Sequence, residues 1–550
     1  MNSSILNAAP DAATSLLGSL VNNLTPVNIA LYALLAALLP LVYTFTVSTL
    51  NDGKPTKDGE PPVPPYWLPF VRHAFDLAAG EEKMLEKYRK VDGKPGLPRT
   101  IYAFGQKIYL LTDPAAISLM YRKSKTLVFD PLIEHALIQM FGGTPSAFRA
   151  LAPGLPGVDQ TGLEEKPEWC KLVHGMYLRE LNPKTPSLDN MTRIFVRELN
   201  NELEKHMPLE KDFVEVDLFT WVKKIMFPAS GRALYGTKLR LTDELAKNFW
   251  FWDSAFLQLF KMYPDFMIPG VRAARQVVID ELIRWRMEVK DMRDKVPDDV
   301  LWEENFGTRL VKERVKLTEQ VLDEDDHQAH ASIHLSLLWG LEANALPTAS
   351  WLMGFALTTP GVLERMREEL KTCKEAPTPG SSLPAFDVEK LSKLPYLNAV
   401  WQETLRLGTS SMSPRMVLED TEINGYMFKK GGMIQGLNPL AQIEEAYWGK
   451  DVNNFNPDRW LPYPDEDAAA AARRIREHQA KLRPFGGGLS ICPGRHFASQ
   501  EILATVAVMT VGLEWETVEG SRLPEVNRAY FGAGGLPPKG DIRLRVRRAQ

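Results

Sequence analysis

Cysteine is scarce: Cys170, Cys373 and Cys492 are the only three in 550 residues, an odd number, far apart and without CxxC spacing. That pattern supports neither a disulfide framework nor a zinc site, and a reducing, cytosol-facing compartment fits it best. A basic excess is also missing, because 65 Lys and Arg stand against 69 Asp and Glu for a formal net charge of -4. No nucleic acid is therefore expected as a partner. Beyond residue 66 no Pro-rich linker recurs and no repeat appears at solenoid or propeller periods, so residues 67–550 read as one large domain. At 45% hydrophobic and 24% charged, the composition is that of a folded protein with a large core.

Charge is absent altogether from residues 28–50, NIALYALLAALLPLVYTFTVSTL, with Pro40 the one helix breaker. The run is long enough for one helical crossing of a roughly 30 Å hydrocarbon core. A secretory signal peptide is the alternative, but its apolar part usually spans about 7 to 15 residues behind a basic start, and no Lys or Arg precedes this run. Residues 1–27 contain the single charge Asp11, whereas Lys54 and Lys57 follow the run directly. The positive-inside rule then predicts a short lumenal tail (1–27), a transmembrane anchor (28–50) and a cytosolic body. Asn2 and Asn23 head Asn-x-Ser/Thr sequons in that tail. Residues 51–66, dense in Pro, Gly and charge, read as a stiff hinge lifting the body off the membrane lipid.

Helical patterns dominate the body, as in PAAISLMYRKS, VDLFTWVKKIMFPASGRALYG and GVLERMREELKTCKE. Strand-like pieces such as QKIYLLTD, RMVLEDTEING and IRLRVRR lie near both ends. The fold class is α+β with helix predominant.

Around Cys492 runs FGGGLSICPGRHFA, residues 485–498. Three glycines permit close backbone approach and Pro493-Gly494 tightens the turn beyond the cysteine, so the loop can present a thiolate with N–H groups turned toward it. Such a thiolate suits a haem iron; the loop alone leaves open an ordinary buried thiol in a glycine-rich turn. The spacing of Phe485, Gly488, Cys492 and Gly494 resembles the haem-binding loop of the cytochrome P-450 family. ETLR, with Glu403 and Arg406, and FNPDRW, with Arg459, precede it in the family's order. The anchor, the Pro-rich hinge, a long central helix and the terminal LPPKGDIRLRVRR extend the resemblance over nearly the whole chain. It implies a P-450 fold carrying heme b on Cys492 and a monooxygenase using O2 and electrons from NADPH through NADPH-cytochrome P-450 reductase, at the endoplasmic reticulum membrane. The other readings are a haem-thiolate isomerase or dehydratase working on a peroxide without external electrons, and a haem carrier or sensor.

By pattern alone Glu403 and Arg406 form an i,i+3 pair opposite the apolar stripe of Leu397, Val400, Trp401 and Leu405, usually a solvated arrangement. The resemblance instead implies that Glu403, Arg406 and Arg459 make a buried structural network. Two departures from the family pattern stand out. The position two before the cysteine, commonly a propionate-binding Arg or His, is Ser490. Arg415, placed where the family often has another propionate partner, takes that role by resemblance; His174, Lys171 and Arg495 are weaker alternatives.

The second departure lies in residues 332–359, SIHLSLLWGLEANALPTASWLMGFALTT. His334, Glu342, Asn344 and Pro347 argue for a core helix rather than a second span. In the family this helix crosses over the haem with an acid-alcohol pair that serves proton delivery; here Ala343 and Asn344 stand at those positions. LWGLEANALPTASW resembles the branch holding prostacyclin synthase and the sterol 7α- and 12α-hydroxylases. Asn344 is then the candidate catalytic group, holding a water for proton delivery, or else its amide caps the carbonyl of Ala343 freed by Pro347. Apolar residues 248–270, NFWFWDSAFLQLFKMYPDFMIPG, read as helix core, membrane-resting surface or channel lining. They point to a lipophilic small-molecule substrate (steroid, terpenoid, fatty acid or polyketide-like), and the family resemblance permits a place in natural-product biosynthesis.

Overall fold

The computed structural model describes residues 25–78, 83, 96–103, 105–207, 212–377, 382–530 and 532–549. Asn2, Asn23 and nearly all of the short tail lie outside the described residues.

Helix α1 spans Pro26–Leu50, two residues earlier than the charge-free run predicts. Thr25 causes the shift: its hydroxyl accepts the Asn28 N–H at 3.2 Å, and Pro26 fills the first turn where no N–H is needed. Its apolar side chains, Leu34, Leu39 and Val42 among them, are exposed. Among the described residues α1 is the one helix long and apolar enough to cross a membrane. Its base meets the body where the Phe45 ring stacks on Trp67 at 3.8 Å and the Ser48 hydroxyl reaches Tyr66 O at 3.3 Å.

The Pro-rich segment that follows does not stand free. It lies along the hairpin β1 (Arg99–Ala103) and β2 (Gln106–Leu111). Thr100 donates to Pro62 O at 2.8 Å through its N–H and to Pro61 O at 2.7 Å through its hydroxyl. Buried Glu60 accepts from Lys107 Nζ at 2.8 Å and from the Tyr109 hydroxyl at 2.5 Å. Prolines cannot donate, but their carbonyls serve this edge well, which is why a proline-dense stretch can line a sheet.

Besides three small two-stranded hairpin sheets, the remaining strands are β3 (Leu127–Val128), β4 (Val214–Asp217), β5 (Thr409–Ser411), β6 (Ser413–Val417), β7 (Met433–Gly436), β8 (Leu513–Thr517), β9 (Ala533–Gly535) and β10 (Arg543–Arg548). The largest sheet has the order β1-β2-β7-β6-β3, with β2 and β7 its parallel pair. A second sheet runs β8-β10-β4, and β9 pairs with β5 alone. In β10 the side chains of Leu544 and Val546 are buried while Arg543 and Arg545 face out, the period of two expected of a half-covered strand.

Helix dominates, as expected. Long helices of the core include α2 (Pro186–His206), α3 (Leu218–Tyr235), α4 (Val271–Lys295), α5 (Arg309–Glu319), α6 (His327–Thr358), α7 (Pro395–Gly408) and α8 (Arg495–Gly512). α6 begins at Asp326, whose carboxylate accepts the Ala329 N–H at 3.0 Å, and runs through the molecule's centre with most of its residues buried. It is therefore a core helix, with His334 and Glu342 enclosed by protein. α2 meets α8 through an edge-to-face contact of Phe195 and Phe497, ring centroids 6.2 Å apart. Burying an aromatic side chain of this kind contributes about 1.5–3 kcal/mol. Residues 248–270 divide: Phe249, Trp252, Phe256 and Leu259 enter the core, and Phe251, Met262, Phe266 and Met267 remain exposed.

Candidate functional site

A cavity of ≈ 480 Å³ separates α6 from the cysteine loop, with β5, β6 and β9 closing one side. Its walls are largely apolar, including Phe129, Leu181, Leu337, Leu341, Ala345 and Met412. No residue from 248–270 lines it, so the channel-lining role expected for those aromatics goes to other side chains.

The loop folds as its glycines require. Gly486 and Gly488 have φ of +72° and +63°, the left-handed region that favours glycine. Gly487 is needed for space, since a Cβ there would lie 2.8 Å from the Tyr121 ring. The Cys492 N–H donates to Phe485 O at 3.0 Å and closes the turn, while Phe485, Cys492 and Gly494 all line the cavity. Cys492 keeps accessible surface because it faces this interior space. The surrounding protein nevertheless desolvates the thiol and pushes its pKa up; the Gly494 N–H and the Arg495 charge pull the other way. The Arg495 guanidinium turns back onto Cys492 O at 3.0 Å, which accounts for that arginine locally. The other two thiols are committed to backbone: Cys170 to Leu151 O at 3.6 Å and Cys373 to Leu370 O at 3.4 Å. Burial raises Cys170 to about 12.

Arg415 projects from β6 into the same cavity, 6% exposed. Its guanidinium donates to Pro414 O at 2.6 Å and to the hydroxyl of Ser490, with the Tyr121 ring 5.4 Å away. Among the described residues no carboxylate pairs with it; burial lowers its pKa, and Tyr121 and then Asp130 oppose that from a distance. The two positions the sequence singles out, Ser490 and Arg415, are thus one hydrogen-bonded unit. Lys171 is a surface residue, 81% exposed and paired with Glu168 at 3.0 Å, and neither it nor His174 lines the cavity.

Asn344 faces the cavity from α6. Its Oδ1 accepts the Gly535 N–H at 2.8 Å, and Thr348 Oγ1 donates to Asn344 O at 2.7 Å. The side chain therefore ties β9 to α6 rather than capping Ala343 O. β9 must be glycine here, because a Cβ on Gly534, at φ +106°, would lie 2.0 Å from Asn344 Oδ1. The Asn344 Nδ2 donors are left free of any described residue. This clamp is invisible in sequence, although AGG at 533–535 signals that something approaches closely.

Glu403, Arg406 and Arg459 form the buried network, not a solvated pair. Arg406 donates twice to Glu403, at 2.9 and 2.7 Å, and Arg459 Nε donates to Glu403 Oε1 at 2.9 Å. Trp460 Nε1 and the Asn456 N–H complete the carboxylate at 2.9 and 3.1 Å. Arg406 also takes Gln442 O and Val452 O, and Arg459 takes Asp451 at 2.9 Å. Charge buried at this depth is tolerable because each polar atom is used.

A family profile described as Cytochrome P-450 matches residues 160–543. Cytochrome P-450 monooxygenase efuG of Hormonema carpetanum is 26% identical over 527 residues, covering 89% of this chain and 90% of that protein. Cytochrome P-450 7A1 of Oryctolagus cuniculus is 24% identical over 507 residues, covering 89% of this chain and 93% of that protein. In three dimensions the chain is similar to a retinoic acid bound cyanobacterial CYP120A1, with a TM-score of 0.62 at 18% identity over 89% of this chain and 99% of that one. At that identity the likeness establishes the fold.

Proposed function

The chain belongs to the cytochrome P-450 family and is a monooxygenase with a haem-thiolate cofactor; from that premise we propose that Cys492 supplies the thiolate and that the substrate is a lipophilic small molecule. The observation that carries this reading is a thiol and a buried guanidinium without an acid partner opening on one apolar cavity. A haem offers an iron for the first and a propionate for the second, so these residues fit it. Bound there, it supplies the O2-activating chemistry, with the thiolate favouring O–O cleavage.

The chain's own groups do the rest. Arg415, held by Ser490, neutralises a propionate. Gly486 and Gly488 keep the loop backbone close around Cys492, and the Gly494 N–H is positioned to temper the thiolate. Asn344 Nδ2 donates to a water in the cavity, and the aliphatic wall formed by Leu337, Leu341 and Ala345 admits an apolar substrate while limiting other water. Steroid, terpenoid or polyketide-like scaffolds, of the kind natural-product biosynthesis uses, suit such a wall. α1 anchors the enzyme in the endoplasmic reticulum membrane with the body in the cytosol, where NADPH-cytochrome P-450 reductase supplies electrons; its exposed apolar surface supports the anchoring, and Lys54 and Lys57 directly after it support the orientation.

The test is spectroscopic. Cys492→Ser removes the red-shifted Soret band of the reduced CO complex, while Cys170→Ser and Cys373→Ser retain it. A normal band in the Cys492 variant would overturn the assignment.

A further inference from the structure

A second cavity, of ≈ 440 Å³, lies between α2, α3 and the helix Asp243–Asp253, and it shares no wall residue with the cavity at Cys492. Helical spacing builds it. Lys223, Lys224, Phe227 and Pro228 fall on one face of α3, Lys247 and Trp250 lie three apart on the facing helix, and Glu202 and Lys205 lie three apart at the end of α2. Phe227, Pro228, Leu241 and Trp250 make part of its wall apolar.

Its charges do not balance. Five cations, Lys205, Lys223, Lys224, Arg232 and Lys247, line it against two acids, Glu202 and Asp243. Glu202 is already engaged, taking Arg232 at 2.5 Å and Lys205 at 3.4 Å, while His206 turns its Nδ1 to Glu202 O at 2.9 Å. Asp243 is exposed in the first turn of its helix and, among the described residues, holds no cation. Lys224 and Lys247 likewise have no ionic partner among the described residues. Lys223 is half-buried, its ammonium 4.0 Å from the centroid of the Trp250 ring. The acids whose fields reach it serve other groups. Asp253 accepts Trp339 Nε1 at 2.8 Å, and Asp541 accepts the Phe219 and Thr220 N–H groups at 2.8 and 2.9 Å. Burial therefore lowers the Lys223 pKa, with Asp253 and Asp541 opposing it. A desolvated ammonium without a counter-ion is costly, and an anion in the cavity offsets that cost.

We propose that this cavity is a second ligand site, taking an organic phosphate whose anionic group sits among Lys223, Lys224 and Lys247 and whose carbon framework rests on Phe227, Pro228 and Trp250. Three ammonium groups match the charge of about -1.5 to -2 that a phosphate monoester carries at pH 7, and exceed what a single carboxylate needs. The one guanidinium on the wall, which suits two parallel bonds to a carboxylate, is held by Glu202. The volume lies within the range of small-molecule sites, about 300–1,000 Å³. Soluble nucleotides and the headgroups of anionic phospholipids share this chemistry. The site stands apart from Cys492, so the proposal does not rest on the haem or on the monooxygenase reaction.

The experiment uses the full-length holoenzyme in neutral detergent micelles and reads binding by calorimetry. ATP is the soluble probe, with adenosine as its uncharged counterpart; dioctanoyl phosphatidic acid is the lipid probe, set against dioctanoyl phosphatidylcholine. The phosphate-bearing probe should bind once per chain. Lys224→Gln and Lys247→Gln should each weaken it by about 10-fold and the double variant by about 10²-fold. Both side chains are exposed, and the red-shifted CO band should be unchanged in every variant. Binding of ATP alone supports a soluble organic phosphate, binding of phosphatidic acid alone a lipid headgroup, and binding of both the shared phosphate chemistry. Binding of neither, adenosine binding as tightly as ATP with phosphatidic acid unbound, or an affinity unchanged in the double variant overturns the proposal.

Discussion

Ser490 is a useful residue to consider singly, because its meaning changes with its partner. In sequence it looks like the loss of a propionate cation; in the fold its hydroxyl fixes Arg415, which lies 75 positions away. The cysteine loop is legible because its spacing fits within about ten residues, whereas the Ser490–Arg415 and Asn344–Gly535 contacts join distant stretches that no local pattern links. Asn344 carries two separable duties, a clamp through Oδ1 and a water contact through Nδ2. Asn344→Asp keeps the acceptor for Gly535 and removes the donors; Asn344→Ala removes both. Both variants are expected to retain the haem spectrum and to form less product per NADPH than the wild type, once a substrate is in hand, with peroxide making up the difference. If Asp behaves as wild type while Ala is uncoupled, the clamp alone matters and Nδ2 has no part in proton delivery.

At the scale of elements, amphipathic patterning finds the helices but not how deep they lie. α7 presents Glu403 and Arg406 opposite an apolar stripe, and the arrival of Gln442, of Val452 and Asn454 and of the segment 456–460 over that face buries them. Depth, not pairing, decides their importance: removing one partner of such a network typically costs about 3–5 kcal/mol, against under about 1 for an exposed pair. The same corner holds His478, from the helix Ala468–Lys481, packed 4.6 Å from Trp448 and 5.7 Å from Trp460. Burial first, then Lys481 and Arg474, lowers its pKa from 6.5 to about 4, against a bond to the Arg459 backbone that favours the charged form. Above pH 6.5 the ring is neutral whether the chain is folded or not; as pH falls from there toward 4 the unfolded chain takes a proton that the folded one refuses, so stability is lost across that window. His478→Phe keeps an aromatic against the tryptophans, and Arg459 O keeps the Arg474 donor at 2.6 Å. Between pH 7 and 5 the wild type should lose about 1–2 kcal/mol more stability than the variant in denaturant titrations. Parallel pH profiles would show that His478 does not titrate as described.

Over the whole molecule the question is where the body begins. Composition divides the chain at residue 67, because Pro and Gly density reads as linker; the fold divides it nearer residue 50, because the carbonyls of Pro61 and Pro62 and the carboxylate of Glu60 complete the first sheet. Sequence cannot reveal this, since the partners Thr100, Lys107 and Tyr109 lie some 40 residues on and carry no mark of it. Two truncations separate the alternatives. Removing residues 1–50 deletes α1 and costs the body the Phe45–Trp67 stack, the Ser48–Tyr66 bonds and the local bonds of Asn51, Asp52 and Lys54 to the end of α1, so the protein should load haem, bind membranes weakly and unfold at nearly the full-length temperature. Removing 1–66 also strips Lys107 and Tyr109 of Glu60 and Thr100 of two acceptors; hydrogen bonds to a charged group contribute about 1.5–3 kcal/mol each, so stability should fall by about 3 kcal/mol or more. Equal stability of the two truncations would make residues 51–66 a free hinge after all. On the proposed topology, in which Lys54 and Lys57 directly after α1 favour the cytosolic side, protease added outside intact microsomes should digest the body of the full-length protein. Full protection would instead place the sheet, the cavity and the docked proline segment in the lumen, beyond the reach of a cytosolic reductase.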